Sequence, residues 1–244
     1  MQIPILRGVI DRRILVNYHV DPSVLAPLLP APFRPKIISG LGMVGICLIR
    51  LKHIRPRFFP RWLGISSENA AHRTAVEWDD HGAVREGVYI RRRDTSSRLN
   101  SWAGGTLFPG IHSHARFDVK ETLDRFEITL QSDDAVTSMS VRGQRTPQLP
   151  ATSVFRSLDE ASAFFQAGSL GYSATSDPTR FQGMDLHCYN WQVEPLAVEE
   201  VHSSFFEDAA LFPKGSIAFD CALLMRGIDH EWHGKADLCC DGNG

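Results

Sequence analysis

His112, His114 and Arg116 stand at alternate positions, so an extended chain would put all three on one face, with Ile111, Ala115 and Phe117 on the other. Two imidazoles at this spacing, joined by a carboxylate such as Glu68, could hold a metal ion. Most H-x-H pairs are plain strand residues, however, and no metal is expected. Glu68 and His72 share a face of an extended segment with Ala70 between them, but their backbones are then roughly 13 Å apart, so contact needs a bulge. A buried Glu68 could serve as a general acid or base; the alternative is a structural pair with Arg73 or Arg92. The run Arg91-Arg92-Arg93 alternates faces, so either Arg92 or the Arg91/Arg93 pair points inward. An inward guanidinium clamps a carboxylate through two parallel hydrogen bonds. Arg92, Arg116, His72 and Tyr89 are the substrate-binding candidates; Glu68, His112 and His114 are the catalytic ones.

Short β-branched or aromatic segments bounded by Gly, Pro, Asp or Ser must position these residues. They run over 14–20, 43–51, 74–78, 87–92, 112–119, 125–131 and 136–142 and read as consecutive antiparallel strands, with later strands at 186–193, 199–206 and 216–225. Ser132-Asp133-Asp134 supplies turn chemistry for a hairpin. Two helices interrupt the pattern. Asp21 caps and Pro22 opens a short one that Pro30 ends, and Ser157 with Glu160 forms a capping box for a second that stops at Gly168. The result is an α+β, mainly β, single domain over 1–244.

Composition narrows the function. The net charge of −2 supplies no field for a polyanion, so nucleic acid is not expected as a partner. The longest strongly apolar stretch, Leu41 to Ile49, falls well short of the roughly 20 residues a bilayer requires. A secretory leader is not evident, and the cytoplasm is the expected location. Five cysteines (Cys47, Cys188, Cys221, Cys239 and Cys240) without CxxC spacing read as free thiols. Positions 50–98 hold 11 Lys+Arg against 6 Asp+Glu, and their loop from Arg55 to Gly64 mixes arginines with Phe58, Phe59 and Trp62. That loop reads as a lid, a subunit contact or, more commonly, a segment anchored from beneath by its aromatics. His230 and His233 are three apart and do not make H-E-x-x-H, so they read as structural. With no G-x-S-x-G, Walker or complete G-x-G-x-x-G motif present, no cofactor is expected.

The segment LVNYHVDPSVLAPLLPAPF at 15–33 carries the pattern D-x-x-x-L-x-x-x-x-P-x-P and resembles the opening of the acetoacetate decarboxylase-like superfamily. SENAAHRTAVEW at 67–78, GVYIRR at 87–92 and WAGGTLFP at 102–109 follow in order, similar to an uncharacterised bacterial branch of that superfamily over roughly 10–232. The resemblance implies a cone-like antiparallel β-barrel with a few outer helices, an interior ligand cavity and a homo-oligomer. It also implies a pocket glutamate at Glu68 and a pocket arginine near Arg12 or Arg13. Where the decarboxylases place paired lysines after a proline, this chain has Gly110 and Ile111 after Pro109, and no lysine lies between Lys52 and Lys120. Schiff-base decarboxylation is therefore not expected.

The expected function is binding of a small organic acid or carbonyl compound, with any turnover being lysine-independent lyase, isomerase or hydrolase chemistry. In that reading Arg92 or Arg116 holds the substrate carboxylate, Glu68 moves a proton, and His112 or His114 stabilises an enolate oxygen. A non-catalytic binder and an oligomeric interaction module are the alternatives.

Overall fold

The run Ile14-Leu15-Val16 has no polar break, as suits a strand buried on both faces. In the computed structural model, which describes residues 4–99 and 109–239, these three lie at the centre of β1 (Leu6–Val20) and all are fully buried. The chain continues through α1 (Pro22–Leu25), a 3-10 turn (Ala26–Leu28), β2 (Arg34–Pro35), β3 (Ile37–Ile38), β4 (Leu41–Pro56), a second 3-10 turn (Arg61–Leu63), β5 (Ile65–Asp80) and β6 (Ala83–Thr95). After these come β7 (His112–Glu121), β8 (Arg125–Ser132), β9 (Ser138–Arg145), α2 (Leu158–Ala167), β10 (Leu170–Ala174), β11 (Arg180–Cys188), β12 (Glu194–Ser203) and β13 (Ile217–Cys239).

One mixed sheet closes in a ring through β1, β4, β5, β6, β7, β8, β9, β12 and β13. β10 and β11 bridge β6 to β13 by a second route, so β13-β1-β4-β5-β6 is a wall shared by two rings. The forks are local. β6 pairs with β10 over Val88–Ile90 and with β7 over Arg93–Thr95, while β13 pairs with β12 over Ala222–Leu224 and with β11 over His230–Cys239. Ile14, Val16, Ile46 and Leu48 face one core with Phe126, Ile128, Leu130 and Met139. From the other face of the same strands, Leu15, Cys47, Ile49 and Ala71 meet Ala161 and Phe165 of α2.

Both helices form as their caps dictate. Asp21 accepts a hydrogen bond from the Ser23 amide at 2.8 Å, and Ser157 Oγ accepts one from the Glu160 amide at 3.1 Å. The Glu160 carboxylate reaches back to the Arg156 amide at 2.7 Å, one residue beyond the usual capping-box partner. The hairpin around Ser132-Asp133-Asp134 joins β8 to β9, with Ser132 Oγ accepting from the Thr137 amide.

The strands are not all consecutive antiparallel neighbours as expected. β6 runs parallel to both β7 and β10, with Arg93 opposite His112 and Tyr89 opposite Tyr172, a direction that a two-residue hairpin turn does not produce. The strand expected over 186–193 ends at Cys188, and β10 had no strand signal in LGYSA. The aromatics of the Arg55 to Gly64 loop do not anchor it from beneath: Phe58 is 93% and Trp62 79% exposed. Cys47, Cys188, Cys221 and Cys239 are free thiols. Among the described residues, no helix is long and apolar enough to cross a membrane.

Candidate functional site

Strand register lays out the site as three rows on the α2-facing side of the shared wall. Arg13, Ile49, Asn69 and Thr95 are successive cross-strand partners. So are Leu15, Cys47, Ala71, Arg93 and His112, and so are Asn17, Gly45, Arg73 and Ile90. Because side chains at i, i+2 and i+4 share a face, Asn69, Ala71 and Arg73 on β5 point together. A cavity of about 110 Å³ opens over these rows, several times what one water needs, and is closed on the far side by Gly168, Ser169, Gly171, Met184, Leu186 and Trp232.

Three guanidiniums line it. Arg13 Nε donates to Cys47 Sγ at 3.2 Å, Arg73 Nη2 donates to Asn17 Oδ1 at 2.5 Å, and Arg93 Nε donates to Ser173 Oγ at 3.1 Å. Arg73 also stacks on Phe165 of α2 at 5.0 Å. Burial pushes Arg73 and Arg93 down to about 10, which leaves both charged at neutral pH. None of the three forms an ion pair among the described residues. Arg73 Nε is buried without a hydrogen-bond partner, and both Nη atoms of Arg93 donate to no described residue. The one carboxylate among the described lining residues, Asp94, is fully buried and already held by Arg92 at 2.8 to 3.1 Å. Burial raises its carboxyl against the pull of Arg92.

Two glycines make room. A Cβ on Gly45 would stand 2.3 Å from the Val16 carbonyl and 3.2 Å from Asn17 Oδ1, so only glycine lets Asn17 reach Arg73 from beneath. Gly110 has φ +81°, and a Cβ there would lie 2.6 Å from Ser173 Cβ, the side chain that Arg93 binds. The position after Pro109 is thus shaped against a lysine as well as lacking one.

Of the seven catalytic and substrate-binding candidates named from sequence, His112 alone lines this cavity. Its Nδ1 lies 3.3 Å from the Gly110 carbonyl, and burial first, then Arg93, pushes it down to about 3, so it is a neutral imidazole. Glu68 is on the opposite face of β5, because Asn69 takes the cavity side; it accepts from Arg12 Nη2 and Arg50 Nε, each at 2.5 Å. His72 follows Glu68 to that face and is 3% exposed against Phe205 and Phe206. Burial and Arg92 bring it down to about 4. His114 pairs with Asp133 at 2.8 Å, Arg116 is an exposed side chain near the same carboxylate, and Tyr89 packs among Phe33 and Phe181.

The arginine run follows neither expected pattern. His72 pairs with Arg92 but Arg73 pairs with Ile90, so Arg91 is an extra residue in a bulge at the fork of β6. Arg93 alone turns to the cavity, while Arg91 stacks on Phe205 and Arg92 binds Asp94 and Asp134. At the first strand Arg13 faces the cavity and Arg12 the opposite core. His230 is fully buried on β13, and His233 pairs with Glu231 beside it at 3.1 Å. Residues 102–108 of WAGGTLFP, and Cys240, lie outside the described residues. Among the described residues, no group of three or more His, Cys, Asp or Glu could hold a metal ion.

Sequence reasoning thus left Cys47, Asn69 and Arg73 without a site role. The available signal was the i, i+2 spacing of Asn69, Ala71 and Arg73, which needed only one member's face to be known.

The chain matches the model of DUF2071, described as an uncharacterized conserved protein, over residues 10–227. It belongs to the DUF2071 family. No curated protein matches it significantly. Among solved structures, this DUF2071 chain is similar to acetoacetate decarboxylase from Legionella pneumophila, with TM-score 0.60 and 12% identity over 96% of this chain and 88% of the other. An acetoacetate decarboxylase-like enzyme from Sphingomonas wittichii gives 0.57 and 11% over 99% and 94%. The enduracididine biosynthesis enzyme MppR, complexed with pyruvate, gives 0.59 and 12% over 100% and 93%. At these identities the similarity establishes an acetoacetate decarboxylase-like fold for the DUF2071 chain.

Proposed function

We infer that the protein binds a small organic acid in the cavity, holding its carboxylate with Arg73 and Arg93 while Arg13, Asn69 and neutral His112 complete the wall. The observation that carries this reading is that buried Arg73 and half-buried Arg93 have guanidinium nitrogens without a carboxylate partner among the described residues. A buried charge ordinarily has a partner, and an incoming carboxylate fits the planar fork of arginine. The apolar side, made by Ile49, Val88, Ile90, Met184 and Leu186, suits a short carbon chain. That a structure of the same fold is complexed with pyruvate supports a 2-oxo acid as the first ligand to try. Any turnover would be lysine-independent, since no lysine lies between Lys52 and Lys120.

A thermal-shift series tests it. Small oxo acids are each compared with their uncharged esters, with and without divalent metals. An acid at about 100 times its Kd should stabilise the fold by about 2.7 kcal/mol, and its ester should not. Equal response to acid and ester, or no response to either, overturns the reading. Recovery of a bound acid chemically unchanged after long incubation separates a binder from an enzyme.

A further inference from the structure

Cys47 occupies the middle of the central row, with Leu15 on one side and Ala71 on the other, and its thiol opens on the cavity. Arg13 Nε stands 3.2 Å from the sulfur, and Arg73 and Arg93 line the same cavity. Cys47 is the sole thiol among the described lining residues. A second observation points independently to a ligand beside it: Arg73, 92% buried, has an Nε without a hydrogen-bond partner and lines the same cavity.

We propose that Cys47 is the nucleophile through which this cavity captures a 2-oxo acid, forming a reversible hemithioketal. This rests on the carboxylate-binding reading above. The carboxylate is taken by Arg73 and Arg93, which places the adjacent ketone over the sulfur. Cys47 Sγ adds to the carbonyl carbon, so an S–C bond forms and the C=O π bond opens. The thiol proton ends on the former carbonyl oxygen, and no oxidant or second reactant is needed. Arg13 Nε, donating to the sulfur at 3.2 Å, holds it in place for the addition. A thiol would thus perform here the carbonyl addition for which a lysine is absent.

The test uses the full-length protein with [2-13C]pyruvate and [2-13C]2-oxobutyrate as probes. In carbon NMR at least one should give a protein-bound resonance moved from the ketone to the tetrahedral region. Cys47→Ser should abolish that resonance, and Cys47→Ala should too, which separates a lost nucleophile from a disturbed cavity. Both variants should keep most of the thermal stabilisation by the acid. A parallel measurement follows alkylation by peptide mapping. Anionic iodoacetate should modify Cys47 about tenfold faster than neutral iodoacetamide, a preference lost in Arg93→Met, while exposed Cys239 shows no such preference. Stabilisation by the acids without a Cys47-dependent tetrahedral resonance overturns covalent capture and leaves the carboxylate site standing. Absence of stabilisation by any acid overturns both.

Discussion

His112 lies beside Arg93 across the parallel seam of β6 and β7, and the pair shares one cavity wall as a neutral base next to a charged one. Burial is the larger reason the imidazole stays neutral, and the guanidinium adds to it. His72 and His230 are neutral too, on other elements, each brought down to about 4 chiefly by burial.

These histidines make acid stability predictable. Each has a folded value below its unfolded one, so the unfolded chain takes up the proton first. No penalty arises above about pH 6.5, and stability falls as the pH drops from there toward 4. Each should remove about 2 kcal/mol between pH 7 and pH 5. Urea unfolding at the two pH values should show His72→Phe losing less stability than the wild type over that interval. Equal losses would mean that His72 titrates normally in the folded protein.

Arg93→Lys keeps a positive charge and loses the fork. Because the proposed contact is a two-point clamp, affinity for a small oxo acid should fall about tenfold while the uncharged ester remains a non-binder. Calorimetric titration reads the change, and unaltered affinity would place the carboxylate elsewhere in the cavity.

Arg12 is fully buried between Glu68 at 2.5 Å and Glu121 at 2.8 Å, and Arg50 reaches both carboxylates from β4. Burial pushes the Glu121 carboxyl up, but hydrogen bonds and charge from the two arginines outweigh it and hold it below its usual value. Arg12→Met leaves the two partly buried carboxylates to Arg50 and the more distant Arg226, 3.6 Å from Glu121, and should cost about 3 kcal/mol in urea unfolding. Lys120→Ala, which removes an exposed pair with Glu127, should cost under about 0.5 kcal/mol.

Gly45→Ala forces the backbone of β1 away from β4 and pushes Asn17 off Arg73. A destabilisation of about 1 to 3 kcal/mol should accompany weaker acid binding. Binding that survives intact in a folded Gly45→Ala variant would show that Asn17 does not position Arg73.

The capped helices and the β8–β9 hairpin were legible from sequence, because Asp21-Pro22, Ser157 with Glu160, and Ser132-Asp133-Asp134 act on their own neighbours. Which face of each strand looks into the cavity was not. Along β1, Ile14 and Val16 belong to one core and Leu15 to another, so hydrophobicity does not distinguish the two sides. Glu68 and Asn69 could exchange roles without disturbing any pattern. The Arg91 bulge was hidden for a related reason: it arises where β6 changes partner from β10 to β7, a tertiary event that three consecutive arginines do not encode. Alternation did identify residues that travel together, as Asn69, Ala71 and Arg73 do.

The pairing of β1 with β13, Leu6 opposite Trp232 and Val20 opposite Ile217, joins segments from opposite ends of the described chain. Local zippering of hairpins can assemble β4 with β5 and β8 with β9, but neither ring can close until β13 arrives. Such high contact order carries a large loop-closure entropy and slow folding. Until then β1 presents a free edge with apolar residues on both faces, the kind of surface through which partly folded chains aggregate.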